Sequence, residues 1–201
     1  MPILRGAVTF ARYSLHHLES PPRDVRSWLT RGLKAQAFEP LQPGDAEDRA
    51  AGFVELENPE RADFPPGELF QGGRALFAYR VETLKVPANA LKSELEKWSA
   101  AFGREHARTP RRTEKAEAKE VLKQKLRQKL EPSVRVVDVS LQLDAGVLLI
   151  WGTSRKVLEE ITGFLEQRLK VRLTPRIPLA LVKDQELAPT LELFGPEVAH
   201  G

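Results

Sequence analysis

The chain has 201 residues, 41% hydrophobic and 29% charged, with 31 Lys and Arg against 28 Asp and Glu for a formal net charge of +3; such ordinary values exclude a disordered or fibrous chain and allow one large or two small domains with a core. The absence of cysteine excludes a disulfide scaffold, a thiol nucleophile and cysteine-ligated zinc or iron–sulfur centres. No apolar run exceeds five residues (147–151 is one), far short of the roughly 18 of a membrane span, and the N-terminus lacks a secretory-signal pattern, so a soluble, cytoplasmic protein with no membrane partner is expected.

In chain order, residues 3–13 carry Val8, Thr9 and Phe10 in an alternating pattern that predicts a strand. Pro21-Pro22 then opens a helix reaching about Ala37, with Val25, Trp28, Leu29 and Leu33 on its apolar face. Residues 38–66, rich in Pro, Gly and acid, read as loops around one short strand at Gly52-Phe53-Val54. Gly72-Gly73 predicts a turn and 74–86 a long strand. Pro87 opens a helix in which Leu91, Leu95, Trp98 and Phe102 are expected to bury one aromatic-rich stripe.

Thr109-Pro110 breaks the chain, because proline disfavours helix in the residue before it. A second helix is predicted over 113–131, with Thr113 as N-cap and Pro132 as its stop. Residues 134–143 alternate as a half-buried strand with Asp138, Ser140 and Gln142 on its polar face, and Asp144-Ala145-Gly146 turns the chain into a more buried partner at 147–151. Ser154 is placed to cap a helix over 155–169, with Val157, Leu158, Ile161 and Leu165 inward, and 171–177 forms a last strand. The expected fold class is α+β: antiparallel strands and hairpins packed with three to four helices, one of them long and basic. Residues 1–178 form the folded region, and 179–201 a C-terminal tail or dimerisation arm.

The small net charge hides a polarity. Residues 39–68 hold nine acids and two bases, whereas 104–129 hold ten bases and four acids. On the predicted helix Lys115, Lys119, Lys123 and Arg127 recur every fourth residue and form one ridge beside Leu122, Leu126 and Leu130. Arg108, Arg111 and Arg112, in the preceding loop, add further cations. This asymmetry is the footprint of a polyanion-binding element, and these seven residues are the candidate DNA-binding set. A lysine-rich helix alone also suits a merely solvated face; the run of same-ridge cations favours binding. The acidic segment reads as a solvated loop, or more sharply as a competitor for the basic helix.

Other chemistry is poorly supplied. His16, His17, His106 and His200 make no metal-binding spacing, Gly72-Gly73 lacks the rest of a phosphate loop, and no serine sits in a nucleophile motif. Asp138 and Asp144 read as strand and turn residues rather than a two-metal carboxylate pair. Trp98 and Phe102 read as core rather than as base-stacking platforms. No enzyme and no cofactor or metal are expected.

Several segments resemble a known family. They are Ala37-Phe38-Glu39-Pro40, Gly52-Phe53-Val54, Lys85-Val86-Pro87, Arg112-Thr113-Glu114-Lys115 through Lys119-Glu120-Val121-Leu122, and Asp144-Ala145-Gly146-Val147 with the helix after it. In this order, over about residues 3–178, they look like the recombination-associated RdgC family. The resemblance implies an α+β protein that binds DNA without sequence preference, dimerises as a ring around duplex, associates with the nucleoid and restrains RecA-promoted strand exchange. It matches Arg112, Lys115 and Lys119 to the family's basic helix. Two departures are visible: the family normally continues beyond the point where this sequence stops, with residues that help close the ring, and Pro132 is followed here by Ser133-Val134 in place of the family's Arg-Ala and aromatic. The expected partners are double-stranded DNA, or single strands, a second copy of the chain and a recombinase filament. The alternatives are a protein-interaction module on the same fold that does not bind DNA, and a metal-dependent nuclease.

Overall fold

The computed structural model describes residues 9–42 and 47–176. The strand start at residues 3–8, His200 and the tail at 179–201 lie outside them. Among the described residues, seven strands and five helices follow in the order β1 (Ala11–His17), α1 (Val25–Lys34), β2 (Arg49–Glu55), α2 (Pro66–Leu69), β3 (Phe70–Gln71), β4 (Arg74–Thr83), α3 (Ala88–His106), α4 (Arg112–Arg127), β5 (Ser133–Gln142), β6 (Val147–Ile150), α5 (Arg155–Leu169) and β7 (Val171–Pro175). The class is α+β, as the patterning predicts, with one helix more than expected because the single turn α2 has too few residues to show a period.

The strands order as β2-β4-β5-β6-β1-β7, with β3 paired to β4 through the Gly72-Gly73 turn. Both glycines have positive φ, which a side chain would oppose. The β5–β6 hairpin pairs Val139 with Ile150 and Gln142 with Val147, and β1 runs antiparallel to both β6 and β7. The chain divides into two compact units, one containing residues 9–38, 52–80 and 136–176, the other 39–42, 47–51 and 81–135.

In the first unit, Leu29 and Leu33 of α1, Ile161 of α5, Phe53, Phe77 and Tyr79 are fully buried. Phe53 meets both Phe77 and Tyr79 edge-on, with ring centroids 5.6 and 5.3 Å apart, the geometry that aromatic quadrupoles favour. Helix α1 starts later than the prolines suggest, because Asp24 caps it: its carboxylate accepts from the Ser27 N–H at 3.0 Å and the Ser27 hydroxyl at 2.6 Å. Strand β5 is more buried than its alternation implies. Asp138 and Ser140 are 1% and 4% exposed, which corrects the reading of a solvent-facing polar side.

The loop after β2 is built around the buried Glu55. One oxygen of its carboxylate accepts the Asp63 and Phe64 N–H groups at 3.1 and 3.2 Å, and Phe64 takes a left-handed backbone with φ of 52°. Arg80, 6% exposed in its side chain, pairs with Glu60 and lies over Phe38. Part of the acidic segment is therefore structural rather than solvated.

In the second unit α3 and α4 pack together as a helical hairpin. Pro87 precedes α3, as expected, and Ala107 ends it in a left-handed conformation with φ of 52°. No residue of α3 is fully buried. The predicted stripe of Leu91, Leu95, Trp98 and Phe102 is only half-buried, which corrects the expectation of a sealed aromatic core.

Candidate nucleic-acid interface

Helix α4 begins one residue before the predicted start. Arg111 is its N-cap, Thr113 lies inside the first turn, and Glu114 is the third helical residue. An arginine has no acceptor to cap with. Glu114 does the local work by reaching back to accept the Arg111 N–H at 2.7 Å, the carboxylate half of a capping box. The helix stops at Arg127, four residues short of the predicted 131, and Gln128 is its C-cap.

The heptad-like spacing places Arg112, Lys115, Lys119 and Lys123 on one side of α4. Arg112, Lys115 and Lys119 are exposed and Lys123 is half-exposed. Among the described residues no acid lies within ion-pairing distance of any of the four. Like charges four residues apart cost a helix about 0.2–0.5 kcal/mol per pair, and among the described residues no ion pair to these four offsets that cost. Lys115 to Lys123 spans about 12 Å at 1.5 Å per residue, comparable to three or four phosphates of one strand at about 3.4 Å each. Arg111, also exposed, extends the set at the N-terminal end, where the helix dipole adds positive potential.

Two candidate residues are engaged elsewhere. Arg127 is 3% exposed and bonds to the Asp48 carboxylate and the Glu47 carbonyl, so its place on the exposed ridge is corrected: it is a buried structural cation. The same contact brings the acidic segment onto the basic helix at one residue. Arg108 is 45% exposed but forms a two-pronged bridge to Glu114, at 2.9 and 2.6 Å, and covers the Phe102 ring at 4.9 Å. The Arg108 and Arg111 hydrogen bonds hold the Glu114 carboxyl down to about 2. Sequence reasoning missed Glu114, although its position three residues after the loop arginine was a visible signal.

On another side of α4, Ala118, Val121, Leu122 and Lys125 line a groove of about 350 Å³ with Trp98 and Phe102. Val121 is 54% exposed there. Trp98, Phe102 and His106 stack successively along α3, with centroid separations of 5.3 and 4.3 Å. His16 is exposed, and His17 is half-buried against Trp28.

Among the described residues no three His, Asp or Glu side chains gather in a group able to hold a metal ion, and no helix is long and apolar enough to cross a membrane. Asp138 is buried in β5, whereas Asp144 is exposed beyond its end.

Fold and site together define an α+β protein that presents, on a helical hairpin, a ridge of cations without acidic partners among the described residues. A family model described as "Putative exonuclease, RdgC" matches residues 10–190, and the chain belongs to the RdgC family. No curated protein matches the chain.

Proposed function

We propose that this protein binds DNA without sequence preference, dimerises on or around duplex, and modulates recombination by restraining RecA-type strand exchange. The observation that carries this reading is the ridge of Arg112, Lys115, Lys119 and Lys123, exposed or half-exposed and without acidic partners among the described residues. Cations so arranged replace counterions condensed on the phosphate backbone, so affinity falls steeply with salt and depends little on sequence. A protein that coats duplex obstructs a recombinase filament advancing along it, and membership in a recombination-associated family supports that setting.

The proposed action is binding rather than catalysis, although the family description names an exonuclease. Metal-assisted hydrolysis of DNA needs converging carboxylates, and the described residues do not supply such a group. Incubating end-labelled duplex with the protein and magnesium is expected to leave the DNA intact; shortening from the ends overturns this part of the reading.

Lys115→Glu combined with Lys119→Glu reverses two charges on the ridge without touching a buried group. Duplex binding at low salt is expected to disappear while the fold persists. Unchanged affinity sinks the proposal. A second reading, a protein-interaction module, is favoured by the groove between α3 and α4, where Trp98, Phe102, Val121 and Leu122 are rimmed by Glu114, Glu117 and Lys125; it requires negligible duplex affinity even at the lowest ionic strength.

A further inference from the structure

Glu114 makes three contacts that converge on the cationic loop. Its two oxygens accept from the two terminal nitrogens of Arg108, at 2.9 and 2.6 Å, and one also accepts the Arg111 N–H at 2.7 Å. Arg108 is further fixed by the Phe102 ring beneath its guanidinium, which is itself stacked on His106 at 4.3 Å. A paired, ring-backed guanidinium has spent its forked donor face on a carboxylate of matching geometry. A phosphate competing for Arg108 would have to displace Glu114, and the displaced carboxylate would remain beside Arg111, Arg112 and Lys115. The ridge residues have no such internal partner among the described residues.

We infer that Glu114 is a positioning residue that sets the strength of the cationic surface: it withholds Arg108 from the polyanion while fixing the loop that presents Arg111 and Arg112. This inference rests on the ridge being the phosphate-binding surface. The withheld cation limits how many phosphates the protein neutralises, which keeps it displaceable from DNA at moderate salt. Loss of the Glu114 charge frees Arg108 and raises that number by one.

The test compares the slope of log affinity against log salt for a short duplex in three full-length proteins: wild type, Glu114→Gln, and the double variant Arg108→Gln/Glu114→Gln. Glutamine keeps an oxygen for the Arg111 N–H but loses the ionic clasp. Glu114→Gln is expected to steepen the slope by about 0.9, one additional phosphate contact, and to bind several-fold tighter at low salt. The double variant has the net charge of wild type and is expected to return to the wild-type slope. An unchanged slope in Glu114→Gln, or a shallower slope than wild type in the double variant, overturns the inference, because Arg108 would then already contact phosphate or never reach it. Should the double variant not fold, the slope of Glu114→Gln decides alone. Absence of salt-dependent duplex binding in wild type is the separate result that removes the ridge reading and this inference together.

Discussion

The guanidinium of Arg127 donates to the carboxylate of Asp48, 79 residues earlier in the chain, and to the carbonyl of Glu47 beside it. Asp48 is held from a second direction, since its own carbonyl accepts the Leu84 N–H at 2.9 Å. The last turn of α4 is thus tied to the segment that leads into β2. Arg127→Ala removes both donors and a buried aliphatic stem, but Asp48 is 54% exposed and can rehydrate. The expected loss therefore falls below the ~3–5 kcal/mol of a fully buried broken pair, at about 1–3 kcal/mol. Urea unfolding followed by circular dichroism reads it, with Lys119→Ala on the exposed ridge as the reference that shifts little.

Gly52 is required by a close approach of backbone. A methyl group there would lie 2.5 Å from the Phe38 Cα and 2.6 Å from its nitrogen. The chain at residues 36–38 is pinned against β2 by Phe38 N–H donating to the Phe53 carbonyl and Phe53 N–H donating to that of Gln36, at 3.0 and 2.8 Å. Backbone cannot rotate aside as a side chain can, so Gly52→Ala is expected to cost about 1–3 kcal/mol by overpacking. Gly67→Ala, where an added methyl meets nothing within 4 Å, is expected to leave the unfolding midpoint nearly unchanged.

What could be read from the sequence was periodic. The β5–β6 hairpin and the inward face of α5 follow from spacing, and Val157, Ile161 and Leu165 are indeed buried. The short strand at Gly52-Phe53-Val54 was visible as an apolar patch among loops. What escaped depended on long-range partners. Nothing near Arg127 distinguishes it from Lys123; only Asp48, remote in sequence, makes one a structural cation and leaves the other half-exposed. Asp138 alternates as a solvent-facing residue should, yet the sheet is covered at that point. The stripe of α3 is half-buried rather than sealed because apolar spacing shows that a face exists, whereas its coverage depends on how many elements pack against it.

Acid should expose the Glu114 clasp. Its carboxyl is held down to about 2 against an ordinary value of 4.5, by hydrogen bonds from Arg108 and Arg111. A depressed folded-state value means the contribution is complete above the unfolded value and disappears as pH falls through about 4.5 toward 2. The melting temperature of wild type is thus expected to fall more steeply across that window than that of Glu114→Gln, while the two profiles run parallel above pH 6. Parallel profiles throughout would show that the bridge to Arg108 contributes nothing in solution.

The two sides of α4 differ in what they offer, and single neutralisations distinguish them. Lys119 is exposed on the ridge, whereas Lys125 lines the groove with Trp98 and Val121. At 100° per residue the six-residue separation puts them about 120° apart around the helix axis. Lys119→Ala is expected to flatten the salt dependence of duplex affinity by about 0.9, one lost phosphate contact. Lys125→Ala removes the same charge from the same helix and is expected to leave the slope in place, with fluorescence anisotropy of a labelled duplex across a salt series as the measurement. Equal losses would mean that DNA responds to the helix's total charge. In that case the fourfold spacing of Lys115, Lys119 and Lys123 would have no directional consequence for binding.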